Sequence, residues 1–170
     1  MSERRLLAER LIAALRLDLA LYTEVSADRV ASGQAFLVVL LSGVSNGLGV
    51  VPHLGAAGIS VGAGAAVLGW FVWTAVVFVT AAPFGRRLPG RSLLRALGFA
   101  TAPGVFLIAG TVPALGRFVR AAVVIWLVAA TAVAVEAVYG MSRRRAVLVS
   151  VAAFLVYLLV GAVSAYLAAA

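Results

Sequence analysis

The chain has 170 residues, 64% of them hydrophobic and 12% charged, with a mean hydropathy of +1.12. A soluble domain of this length is nearer half apolar and a quarter charged, so the composition excludes an ordinary water-soluble fold. All fourteen basic residues are arginine, the formal net charge is +8 and cysteine is absent, which excludes disulfides, thiolate metal sites and redox pairs. The arginines fall between apolar runs, without the aromatic–basic alternation of a base-stacking surface. Membrane topology and anionic headgroups therefore account for them, and no nucleic acid partner is expected.

Apolar runs of roughly 20 residues cover the hydrocarbon core of a bilayer. The expected fold class is all-α: a polytopic membrane protein, a bundle of five transmembrane helices with an N-terminal amphipathic cytoplasmic helix. The first long apolar run begins near Gly33, so the N-terminus does not read as a cleavable signal.

Residues 1–32 form the amphipathic arm. On a helical wheel Leu7, Leu11, Leu15, Leu19 and Tyr22 share one side, with Ile12 at its edge and Arg5, Glu9 and Arg16 opposite. Such a helix lies in the membrane interface or against the cytoplasmic end of the bundle. Asp18 falls inside the apolar arc, where it caps a turn, faces a polar groove between helices or pairs with a loop arginine. Glu24 and Asp28 are spaced i, i+4 and share a helical face. Arg29 is placed to neutralise one of them, and the pair reads as a solvated helix start or as an acidic docking patch. Ser26 reads as the N-cap of the helix leading into the first span.

The transmembrane domain occupies residues 33–170, with spans over about 34–51, 59–81, 94–115, 121–138 and 146–168. Gly43 and Gly47 in the first span have the spacing of a close helix contact, with Asn46 between them as a hydrogen-bonding group. Gly62, Gly64 and Gly69 in the second do not follow a strand, which excludes a phosphate-binding loop. They read as packing positions, within the chain or in a homo-oligomer.

The third span carries Gly98, Pro103, Gly104 and Gly110. Proline inside a helix removes a backbone donor and clashes with the preceding turn, so a bend is expected at Pro103. In hydrocarbon the freed carbonyls need new donors, and Thr101 is placed to supply one locally. The bend places this span inside the bundle; Pro103 and Pro113 also leave open a re-entrant or tilted segment.

The arginine distribution sets the orientation. Arg4, Arg5, Arg10, Arg16 and Arg29 lie in the arm; Arg86, Arg87, Arg91 and Arg95 follow the second span; Arg143, Arg144 and Arg145 precede the fifth. Only Arg117 and Arg120 fall on the other side. The positive-inside rule puts the N-terminus in the cytoplasm and the C-terminus outside.

Enzyme chemistry is poorly supplied. The single histidine, His53, sits in the first outer turn, while Asp18, Glu24 and Asp28 are cytoplasmic and Glu136 is near that side. A Ser–His–Asp triad or a His–carboxylate metal site would have to bridge the membrane, so no catalytic, metal or cofactor site is expected. Glu136 is the one acid within a span. About one helical turn from Gly140, it can pair with Arg143 or Arg144 in an inner-side cluster with Arg145, or else handle protons or cations.

LGFATAP, over residues 97–103, resembles the aromatic-glycine-proline signature of Yip-type proteins, the Ypt/Rab-GTPase-interacting membrane family. Trp126 and the EAVYGMSRRRAVL stretch resemble the junction before that family's last span. Asp18, Tyr22, Glu24, Val25, Asp28 and Gln34 are similar to the pre-membrane pattern of bacterial members from high-GC genomes. The resemblance implies five spans, a cytoplasmic N-terminus, a short outer C-terminus and a bacterial cytoplasmic membrane. Eukaryotic members bind small GTPases and organise vesicle membranes; here the cytoplasmic region is reduced to about thirty residues, and a bacterial host lacks Rab partners.

The function expected from the sequence is a non-enzymatic membrane-organising scaffold, with Asp18, Tyr22, Glu24 and Asp28 as the cytoplasmic contact surface. Its partners would be the bilayer, further copies of itself, or other membrane or cytoplasmic proteins. The competing expectation is a small oligomeric conduit for ions, protons or lipid along the broken third helix past Glu136.

Overall fold

The structure is a computed structural model that describes residues 6–49, 51, 55–84, 90–112 and 115–169. Arg4, Arg5, His53, Arg86, Arg87 and Pro113 lie outside the described residues. Among the described residues the chain is helical throughout: α1 (Leu7–Leu15), α2 (Leu19–Ala27), α3 (Ala31–Leu48), α4 (Ala57–Ala81), α5 (Gly90–Ala100), a 3-10 helix (Ala102–Thr111), α6 (Gly116–Tyr139) and α7 (Arg143–Ala169).

The protein is an all-α polytopic helical protein. Four segments of the described chain are long and apolar enough to cross a bilayer: α3, α4, α5 with its 3-10 continuation, and α6. Among the described residues the count is therefore four, where five were expected. Helix α7 has 27 residues but opens on three consecutive arginines, and it packs along α6 and α4.

The arm is not one continuous amphipathic helix. It breaks at 16–18, where Leu17 adopts a left-handed φ of +58°. The Leu17 and Asp18 amides turn back to the Ala14 and Ala13 carbonyls, each at 3.0 Å, closing α1 with a Schellman motif. Asp18 then starts α2 by accepting a 2.9 Å hydrogen bond from the Ala20 amide. The capping role expected for Asp18 is what it performs, and the wheel that ran through it ends there. Ser26 is not a cap. It lies inside α2 and donates to the Thr23 carbonyl, while Asp28 organises the α2–α3 turn by accepting from the Val30 amide at 2.9 Å.

The glycine seam expected in the first span is present, and α4 closes it from the other side. A Cβ on Gly43 would lie 2.6 Å from the Ala66 Cβ, one on Gly47 2.6 Å from the Gly58 carbonyl oxygen, and one on Gly62 2.5 Å from the Gly47 Cα. The backbones touch, which is how apolar helices gain dispersion contact in lipid. Asn46 does not lie in the seam but is exposed. Gly64 and Gly69 have open space beside them.

The bend expected at Pro103 is a change of helix type. α5 ends at Ala100, and the chain continues with tighter 3-10 geometry, Pro103 and Gly104 both buried. Thr101 donates to the Gly98 carbonyl at 2.7 Å, as expected. From α3, Ser42 donates to the Thr101 carbonyl at 2.7 Å. Gly98 lets the bend approach α3: a Cβ there would lie 2.8 Å from the Ala35 Cβ.

Candidate functional site

The arm folds back as a two-helix hairpin and packs against α5, the 3-10 helix and α6. Its apolar core, Ala14, Leu21, Tyr22 and Val25, is fully buried. Three polar anchors hold it.

The first anchor is Arg10, 3% exposed although it is an arginine in the first helix. Its guanidinium donates to the Glu24 carboxylate at 2.7 and 3.1 Å, to the Asp28 carboxylate at 2.8 Å and to the Gln34 side-chain oxygen at 2.6 Å. One side chain from α1 thus ties together α2, the α2–α3 turn and the start of α3. Burial works against this charge, but the hydrogen bonds and Coulombic attraction of Asp28 and Glu24 outweigh it and raise the Arg10 pKa. Glu24 and Asp28 share a face, as their spacing required. The cation between them is Arg10 rather than Arg29, because Arg29 sits exposed in the turn beyond α2 while α1 lies against it.

The second anchor is Arg95, also buried. Its Nε donates to the Val25 carbonyl at 3.1 Å and its Nη2 to the Ser26 carbonyl and the Ser92 hydroxyl. A cation on the last carbonyls of α2 also meets the negative end of that helix's dipole. The third anchor is Trp126, whose indole N–H donates to the Leu15 carbonyl at 3.2 Å while its ring stacks on Phe106, centroids 5.6 Å apart.

Tyr22 is not a contact surface. It is fully buried, its hydroxyl reaches the Ala14 carbonyl at 3.4 Å, and desolvation raises its pKa. An aromatic ring facing the apolar arc belongs to the hairpin core, so the expectation of a partner contact at Tyr22 is corrected. Asp18, Glu24 and Asp28 are all engaged within the chain.

At the end of α6, Glu136 accepts a 3.0 Å hydrogen bond from Arg143, an ion pair closed across the left-handed turn at Gly140. Arg144 and Arg145 are exposed, each rotated about 100° from its neighbour on a helix with 3.6 residues per turn. The expected four-residue cluster is therefore one pair beside two solvated or headgroup-facing cations.

Sequence reasoning did not find the docking roles of Arg10, Gln34 and Arg95 or the contact Ser42 makes with the bend. One signal existed. Arg10 lies four residues before Ala14, on the flank of the apolar arc, where a cation needs a partner. Among the described residues no group of three His, Cys, Asp or Glu side chains is placed to hold a metal ion.

Fold and site together define a multi-pass helical membrane protein with a docked N-terminal hairpin. Comparison with protein-family models, curated proteins and solved structures finds no match.

Proposed function

We propose that this is a Yip-like, non-enzymatic integral membrane scaffold of the bacterial cytoplasmic membrane. In this reading the arm lies on the cytoplasmic side, and the protein associates with further copies of itself or with other membrane proteins. The observation that carries the reading is where the polar side chains go. Arg10, Glu24, Asp28, Gln34 and Arg95 dock the hairpin, and Ser42 and Thr101 secure the bend.

The same observation argues against the conduit. The broken third helix is filled rather than open: a Cβ on Gly104 would lie 2.9 Å from the Ser42 Cβ. Glu136 is spent on Arg143 at the helix end. The test is ion flux into liposomes containing the purified protein, under H⁺, Na⁺, K⁺ and Cl⁻ gradients, for wild type and Glu136→Gln. Absence of flux in both is the expected result. Flux that Glu136→Gln abolishes, with the protein still folded, overturns the scaffold reading in favour of transport.

A further inference from the structure

We infer that the α1–α2 hairpin stands within the bilayer, entering from the arm side, and that its outward polar stripe draws phospholipid headgroups to the hairpin tip. The inference rests on reading α6 as a membrane span, not on the scaffold role.

The height of the hairpin follows from its contacts. The exposed arginines Arg143, Arg144 and Arg145 place the arm-side boundary of the hydrocarbon near the Gly140 turn. From Gly140 back to Trp126, α6 climbs about 20 Å at 1.5 Å per residue, against a hydrocarbon thickness of about 30 Å. Trp126 holds the Leu15 carbonyl, at the hairpin tip. The other end of α2 meets Arg95, near the start of the third span. The hairpin therefore enters from the arm side with its tip at or beyond the level of the bundle's middle, instead of lying flat on the surface.

The outward face does not suit dry hydrocarbon. Glu9 on α1, Arg16 just after it and Thr23 on α2 are exposed, beside Ile12 and Leu19. Towards the middle of the spans the exposed side chains are instead apolar: Ile125 on α6, Phe71 and Val72 on α4, Leu37 and Leu41 on α3. A charged side chain held at depth is accommodated by snorkelling, local thinning and headgroup or water penetration. Arg16, a guanidinium at the tip, suits a lipid phosphate as its partner.

The absence of cysteine allows single-site labelling on an otherwise native chain. A bimane at Leu19→Cys, beside the tip, is compared with one at Ile125→Cys, the lipid-facing neighbour of Trp126. Both proteins are reconstituted in phosphatidylcholine–phosphatidylglycerol vesicles with nitroxides on the headgroup or at mid-chain. The expected result is a reversal: mid-chain nitroxide quenches Ile125→Cys more strongly, headgroup nitroxide Leu19→Cys. Adding Arg16→Leu should return Leu19→Cys to the mid-chain pattern. Three results each overturn the proposal: quenching of Leu19→Cys by neither probe, the same pattern at both sites, or a reversal that survives Arg16→Leu. Ile12→Cys, on the same exposed face, repeats the measurement should Leu19→Cys fail to fold.

Discussion

Ser42 on α3 donates a 2.7 Å hydrogen bond to the carbonyl of Thr101, at the residue where α5 gives way to the 3-10 helix. A proline-containing bend is tolerated in a membrane when a neighbouring helix re-satisfies the backbone, and here that neighbour is α3. Ser42→Ala removes the donor and is expected to destabilise by about 1 kcal/mol, in the range of interhelical side-chain hydrogen bonds in membranes. Gly104→Ala is expected to cost more, since its Cβ would meet the Ser42 side chain at 2.9 and 3.0 Å. Thermal unfolding in detergent ranks the two; equal stability of Ser42→Ala and wild type would remove the bond from the account of the bend.

The glycines of α4 should divide by position. Gly62→Ala drives a methyl into the α3 backbone at 2.5 Å and is expected to cost about 1–3 kcal/mol, as overpacking does. Gly64→Ala and Gly69→Ala meet nothing within 4 Å. They are expected to be neutral or to stabilise by up to about 1 kcal/mol, from helix propensity alone. Unfolding by SDS titration of the three variants distinguishes a seam from a uniformly glycine-tolerant helix.

Arg10→Ala should free the hairpin. A buried ion pair that loses one partner costs about 3–5 kcal/mol. Glu24 and Asp28 are 35% and 25% exposed, so water shares the burden and about 2–3 kcal/mol is expected. Combining Arg10→Met with Glu24→Gln and Asp28→Asn should recover much of the loss, because no uncompensated charge then remains. Alkylation of Val25→Cys, at a fully buried position, reads the opening directly. It should accelerate with Arg10→Ala and return towards the parent rate in the triple variant.

The Glu136–Arg143 pair should matter little for stability. Arg143 is 70% exposed, and such pairs contribute about 0–1 kcal/mol, reduced further by salt. Glu136→Gln is expected to unfold within about 1 kcal/mol of wild type. A loss well above that would show that Glu136 supports something other than this turn.

The sequence alone determined those features that depend on local composition and spacing. Apolar run length marked the segments that became α3, α4, the third span and α6, because a bilayer demands continuous hydrophobicity regardless of fold. Gly43 and Gly47 announced a close contact, Pro103 announced a bend, and Glu136 lay about one turn from Gly140 and seven residues from Arg143, the arginine it meets. Each signal is carried within a few residues.

The tertiary structure decided which partner each polar group takes. Glu24 and Asp28 had Arg29 beside them in the chain, yet they close on Arg10, because the Leu17–Asp18 turn lays α1 back against α2. Tyr22, read as a contact residue, became core for the same reason. Arg95, counted as a loop cation, is buried on the carbonyls that end α2. Such pairings join residues 14 to 111 positions apart. No local pattern encodes them, since a charge taken from water selects whichever donor or acceptor the packed helices bring within reach.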